Sequence, residues 1–470
     1  MPGWDRLTAI VSEEFTQAIE EGKDREAVEA LRPAFDAAED REAELHAVLE
    51  QLMALPVTLP NGAAEPDSWE EIVALRPVAG APLPSCNADS ETLLDRIHGA
   101  WLGRCAGCAL GKPFEMIGLR GVQDGGMQPW LRIKRYLTAI SPEEWPIRDY
   151  IPEHSPAETD PAVGKVSCRA STREHIAFME TDDDIRYTVL GLVLLSGKGV
   201  GFTSWDVASN WIARLPYQSV CTAETQAYHN LVSRYEFHYG AKPGESEKID
   251  WNWVSTYRNP FREWIGAQIR IDAFGYAAAG NPALAAEMAW RDARISHSKN
   301  GIYGAMFCAA MIAAAFATED SERIVQAGLE QIPADCRLSR AIHDTIRIVE
   351  AHDSDPERIE DIFRQVHAAF ESYHVVHTIP NAAICVVAIL LARGDFHKGI
   401  TFAVMGGWDT DCNGATVGSV VGAITGAKAA PSHWTGRLND TLRSGIIDYD
   451  PIAISECARQ TFQVYQDSNE

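Results

Sequence analysis

The chain has 470 residues, 46% of them hydrophobic, enough to bury a large core in one large or two smaller domains. A formal net charge of −25 argues against nucleic acid and anionic membranes as partners. It leaves room for an anionic small substrate, because a bound divalent cation can reverse the local field. No apolar run reaches transmembrane length, and the start, Met1-Pro-Gly-Trp-Asp-Arg, has no signal-peptide pattern, so a cytoplasmic protein is expected. The ten cysteines lie scattered through apolar or helical stretches, as buried thiols in a reducing compartment do.

Residues 5–54 place Phe15, Ala18, Ile19, Leu31, Phe35, Leu45, Leu49 and Leu52 at helix-like intervals, which predicts two or three amphipathic helices in an appended hairpin. Residues 55–90 carry six prolines and read as an extended connector. These two stretches form one expected unit, 1–90, and residues 91–470 the other.

The second unit opens on Gly99, Gly103, Gly107 and Gly111, four residues apart, in a run that ends at Pro113 and places Glu115 just beyond. Residues four apart share a helix face, so this face is bare backbone. Each helix-interior glycine costs about 1 kcal/mol relative to alanine, and a second backbone packed closely against the stripe would offset that. Cys105-Ala-Gly-Cys108 lies inside this ladder, where packing explains it better than redox chemistry.

Residues 118–180 hold several prolines and few periodic apolar runs, the pattern of a long loop that covers a site. Helices are predicted after it at 185–197, 205–214, 221–234, 263–279, 282–292, 301–317, 321–331, 336–352, 356–372, 380–392, 395–404 and 413–427. No convincing strands appear, so the fold is read as all-α.

Glu180-Thr-Asp182-Asp183-Asp184 precedes the first of these helices. Helix capping needs one such acid, whereas three in a row also suit a cation, and this run alone leaves the two readings even. Asp409-Thr-Asp411 is different. It follows Phe402-Ala-Val-Met405 and precedes a second ladder, Gly414, Gly418, Gly422 and Gly426, so both acids are expected to be buried. Buried carboxylates must be protonated, paired or metal-bound, and no Lys or Arg lies within the motif. Hard oxygen ligands favour Mg²⁺, Mn²⁺ or Ca²⁺ over zinc. Ser296-His297-Ser298-Lys-Asn300-Gly301-Ile-Tyr303 starts a further helix and suits a phosphate or sugar hydroxyl bound through backbone amides. His377 and the tryptophans 251, 253 and 264 read mainly as structural.

Four motifs in this order resemble the ADP-ribosylglycohydrolase family: the first Gly ladder ending in Gly111-Lys-Pro-Phe-Glu115, Thr181-Asp-Asp183, the Ser296-His297 helix start, and Gly407-Trp-Asp409-Thr-Asp411. The likeness covers roughly residues 95–430. It implies an orthogonal multi-helix bundle with two divalent cations, Mg²⁺ or Mn²⁺, and cleavage of a ribosyl C1 bond in an ADP-ribosylated or related substrate. By position, Thr181, Asp182, Asp183, Asp409 and Asp411 match metal ligands. Glu115 and Asp183 match acid and base candidates. His297, Ser298, Asn300, Gly301 and Tyr303 match contacts to phosphate or ribose.

The family's last motif commonly runs Gly-Gly-Asp-Thr-Asp-Thr. This chain inserts Trp408, taken as a substrate contact, and puts Cys412 in the final Thr position. Thiol suits a hard cation poorly, so either the second ion is weaker or Asn413 supplies an oxygen instead. Two other readings remain at this point: a non-catalytic protein of the same fold that binds nucleotide or ADP-ribose, and a dinuclear phosphohydrolase.

Overall fold

The computed structural model describes residues 3–78, 80–84, 86, 89–122, 124–235 and 249–469, so residues 79, 85, 87 and 88 of the connector and residue 123 of the long loop region lie outside it. Among the described residues there are helices and isolated bridges but no strand. The protein is all-α, as its periodicity predicts.

At the N-terminus, α1 (Leu7–Glu20) and α2 (Glu42–Ala54) pack Ile10, Val11, Phe15 and Ala18 against Leu45, Val48, Leu49 and Leu52. That small apolar cluster is separate from the main core. The segment is nonetheless docked on the rest of the chain by buried charge. Glu14 and Glu21 both pair with Arg262 at 2.7 Å, and Glu65 pairs with Arg337 at 2.6 Å.

The centre of the main core is built on the two glycine ladders. The helix α3 (Ser90–Gly111) starts at Asp89, whose side chain accepts from the Thr92 amide at 2.8 Å, and is buried from Gly99 to its end. Residues 118–180 are less irregular than expected. They contain α4 (Pro129–Ile140), with Trp130, Ile133, Tyr136 and Leu137 buried and Pro129 at its first turn, where a missing N–H costs nothing. That stripe is short and interleaved with Arg and Lys, which hides it among the surrounding prolines. Next come α5 (Asp183–Lys198), α6 (Asn300–Ala315), α7 (Thr378–Ala392), α8 (Phe396–Met405), α9 (Thr410–Thr425) and α10 (Ile454–Asn469).

The glycine faces of α3 and α9 oppose each other in antiparallel register. A Cβ at Gly99, Gly103 or Gly107 would run into the carbonyl of Gly422, Gly418 or Gly414, and the reverse holds from α9. At the end of the stripe a Cβ on Gly111 would strike Thr410. The two backbones therefore touch along their length, and dispersion plus Cα–H···O contacts offset the conformational cost of the glycines.

The continuous helix expected over 263–279 is instead a 3₁₀ segment, Ile265–Arg270, followed by the short helix Asp272–Ala277. Its backbone groups bond elsewhere: the Ile265 amide donates to the Val376 carbonyl at 2.9 Å, and the Ile269 carbonyl accepts from Arg104. Those outside partners replace the α-helical ladder.

Candidate active site

Because α3 and α9 run antiparallel in backbone contact, the end of one and the start of the other are forced together. The chain leaves α3 through Lys112-Pro113-Phe114 to Glu115, while α9 begins beside Gly111 with Asp409 before it and Asp411 in its first turn. The start of α5 brings a third acidic run. The carboxylate of Asp182 accepts from the Asp184 amide at 3.0 Å as an N-cap, which leaves its other oxygen free for Lys112 Nζ at 2.5 Å. The same ammonium donates to the Thr181 carbonyl at 3.1 Å.

Beside the run of Asp182, Asp183 and Asp184, two close groupings of carboxylates with a thiol result at this junction. Asp409, Asp411 and the Cys412 thiol have donor atoms within 4.8 Å of one another, as do Asp182, Asp411 and the Cys108 thiol. Asp411 belongs to both. The residues of both groupings are buried. Among the described residues, Oδ1 of Asp409 and Oδ1 of Asp411 have no hydrogen-bond partner, a costly state for a buried carboxylate unless a cation or proton joins it.

The protonation pattern follows from this crowding. Repulsion from Asp411, followed by burial and by Asp182 and Asp183, pushes the Glu115 carboxyl up to about 9. Burial and Asp182 raise Asp411 to about 7, and burial with Asp182 raises Asp183 to about 6. Asp409 is raised well above its ordinary value by burial and by Asp411. Asp182 alone is lowered: burial works to raise it, but the Lys112 ammonium prevails.

A family profile described as ADP-ribosylglycohydrolase matches residues 89–468. The chain belongs to the ADP-ribosylglycohydrolase family. A solved structure titled "ADP-ribosylglycohydrolase-related protein complex" is similar at 19% identity and a TM-score of 0.48, covering 80% of this chain and 99% of that one. No curated protein matches.

In this member of the family, the junction gathers Glu115, Asp182, Asp183, Asp409 and Asp411. Thr181 lies at its exposed edge. The Thr181 hydroxyl accepts from Arg186 at 3.2 Å and donates to the Ser444 carbonyl at 3.3 Å. Asn413 is engaged elsewhere: its amide nitrogen donates to Asn381 Oδ1 at 2.9 Å, and its oxygen accepts from the Cys385 thiol at 3.4 Å. Asn381 Oδ1 also takes the Asp409 amide at 3.0 Å, so this pair shapes the turn before α9. Trp408 is 3% exposed and stacks on His367 with ring centroids 3.9 Å apart. Its φ of +56° turns the chain between the two helices, and its ring is part of the core.

The helix start at 297–303 is contacted by the N-terminal segment and by the chain around Glu263 and Leu338. Tyr303 donates to the Pro66 carbonyl at 2.5 Å, and the Lys299 amide donates to Asp67 at 2.6 Å. Asn300 is held by Glu263 at 2.9 Å and by the Leu338 amide at 2.9 Å. A Cβ on Gly301 would press on the Arg262 carbonyl. The Ser298 hydroxyl is buried and has no hydrogen-bond partner among the described residues. His297 is fully buried, with Nδ1 2.8 Å from Ser296 Oγ. That hydroxyl accepts from Arg270 at 2.9 Å. Carboxylates of the chain itself thus sit where a bound anion was expected.

The sequence pattern did not single out Lys112 or Arg104, and it showed Asp184 only as the third acid of its run. Arg104 is completely buried and pairs with Asp184 at 3.3 Å and Asp272 at 2.9 Å. Asp184 also accepts from the Cys412 thiol at 3.1 Å. The only signal for these residues in the sequence is their place inside or next to the motifs, Lys112 in Gly-Lys-Pro-Phe-Glu and Arg104 beside Gly103.

Proposed function

We propose that the protein is a metal-dependent glycoside hydrolase that cleaves the ribosyl C1 bond of an ADP-ribosylated or related ribosylated substrate. The observation that carries this reading is the pair of buried, unpartnered oxygens on Asp409 and Asp411, set against Glu115 and the start of α5. This donor set fits divalent cations, in keeping with two Mg²⁺ or Mn²⁺ ions held by Asp182, Asp183, Asp409 and Asp411 with Thr181 at the edge. Bound there, the ions would supply Lewis acidity and anchor substrate hydroxyls.

The residues of the chain divide the proton work. Glu115, beside the acids of the junction, is the candidate to give a proton to the leaving group. Asp183, in the first turn of α5, is the candidate to take one from the attacking water. The acids around them stabilise the positive charge that builds on the sugar as the C1 bond breaks. Lys112 keeps Asp182 ionised and fixed throughout.

The test is a mass-spectrometric screen of ribosylated and ADP-ribosylated compounds with the purified chain and Mn²⁺ or Mg²⁺. Release of free ribose or ADP-ribose, lost in excess EDTA and in Asp409→Asn, is expected. Binding of ADP-ribose without turnover of any substrate would favour a non-catalytic binding protein. Products that keep the glycosidic bond would mark a phosphohydrolase.

A further inference from the structure

The two thiol-bearing carboxylate groupings at the junction are not equivalent. Each includes a buried thiol, but only one already has its positive charge. In the grouping of Asp182, Asp411 and Cys108, the Lys112 ammonium sits 2.5 Å from Asp182 and offsets part of the carboxylate charge. In the grouping of Asp409, Asp411 and Cys412, no ammonium or guanidinium pairs with either carboxylate among the described residues, and each has a buried oxygen without a partner.

The remaining donor for a cation there is the residue after Asp411. Asn413 is tied to Asn381 and Cys385. The Cys412 side chain is 6% exposed, packs against Ile265 and Ile269, and lies within 4.8 Å of both carboxylates. Val376 covers the same apolar wall.

We infer that Cys412 is a metal ligand: its thiolate, with Asp409 and Asp411, holds a transition-series dication in preference to Mg²⁺ at this position. Mg²⁺ demands hard oxygen ligands and near-octahedral geometry, whereas a thiolate raises affinity for softer ions such as Co²⁺ or Zn²⁺. Binding replaces the S–H bond by a metal–sulfur bond and releases one proton to solvent, with no change of oxidation state. The S–H that now donates to Asp184 is the bond given up. The inference rests on the metal-centre reading above and sharpens it by naming the class of ion.

Cobalt reads the proposal out without any turnover. Metal-stripped full-length protein titrated with Co²⁺ is expected to develop a sulfur-to-cobalt charge-transfer band in the near ultraviolet beside the weaker visible ligand-field bands. Cys412→Ser should lose the ultraviolet band and keep visible cobalt absorption, while Cys108→Ala should keep both. Far-UV circular dichroism checks that each variant is folded, and Cys412→Thr, which keeps the side-chain volume closer to that of cysteine, is used if the serine variant is not. Visible bands without the ultraviolet band in the unaltered protein would overturn the thiolate and leave the metal centre standing. Persistence of the band in the Cys412 variants would overturn the assignment to this residue. Failure of the unaltered protein to bind cobalt at all would overturn both the proposal and the metal centre beneath it.

Discussion

Gly103 and Gly418 stand face to face, the carbonyl of each filling the space where a side chain on the other would begin. The obstacle is backbone on both sides, so relief requires moving a whole helix. Gly103→Ala and Gly418→Ala are each expected to cost at least the ~1–3 kcal/mol typical of overpacking. Both should also weaken cation binding, because the same contact sets the distance between Glu115 and Asp411. Gly197, near the end of α5, has open space around it, and Gly197→Ala should stabilise by up to about 1 kcal/mol. Urea unfolding of the three variants separates close packing from helix propensity.

The ladders and the acids at their ends were legible because both are local patterns: a four-residue spacing and a cluster of like charges. Their pairing in space follows from the glycines, since two bare faces need each other. What spacing could not supply is the distant partner that claims a polar side chain. Asn413 looks like a free ligand until Asn381 and Cys385, 32 and 28 residues away, are seen on its amide. Trp408 looks like a substrate contact until His367 is seen stacked on its ring. The helix start at 297–303 reads as an anion site, and only the fold reveals that Asp67, more than 200 residues earlier, already occupies the Lys299 amide. Lys112 was hidden for a related reason: a long side chain leaving a tight turn can reach in many directions, and only the packing of α3 against α5 selects Asp182.

Asp411 repels its neighbours in the cation-free protein, since it is the largest influence holding Glu115 at about 9. Asp411→Asn is therefore expected to melt higher than the unaltered chain in EDTA. Adding Mn²⁺ should reverse the order. A cation at a hundredfold excess over its Kd stabilises the unaltered protein by about 2.7 kcal/mol and should leave the variant unmoved. Thermal melts with and without Mn²⁺ check both halves, and a variant that melts lower in EDTA would contradict the crowding argument.

Lys112 and Asp182 form a buried pair in which each partner offsets the desolvation of the other. Lys112→Gln leaves the carboxylate uncompensated, a loss typically of about 3–5 kcal/mol. Because the ammonium lowers Asp182, the stability it lends is present above the ordinary aspartate range and is lost as pH falls through the depressed value. Adding Asp182→Asn to the first change should recover much of the loss, and a double-mutant cycle in chemical denaturant measures the coupling.

Glu20 offers a pH test away from the acidic junction. It lies at the end of α1, where it accepts from the His374 amide, and burial pushes its carboxyl up to about 8 from an ordinary 4.5. Between those values the folded chain keeps a proton that the unfolded chain releases. The contribution of this group is therefore complete below pH 4.5 and is lost as pH rises through 8, at no more than about 1.4 kcal/mol per pH unit. Glu20→Gln keeps an oxygen to accept from His374 and removes the titration. The variant should match the unaltered protein near pH 4.5 and become progressively the more stable of the two towards pH 8. Asp67, raised to about 6 mainly by burial, titrates in the same window but does so in both proteins and cancels in the difference. Urea unfolding at three pH values across the window supplies that difference, and two parallel stability curves would mean that Glu20 is ionised in its buried position.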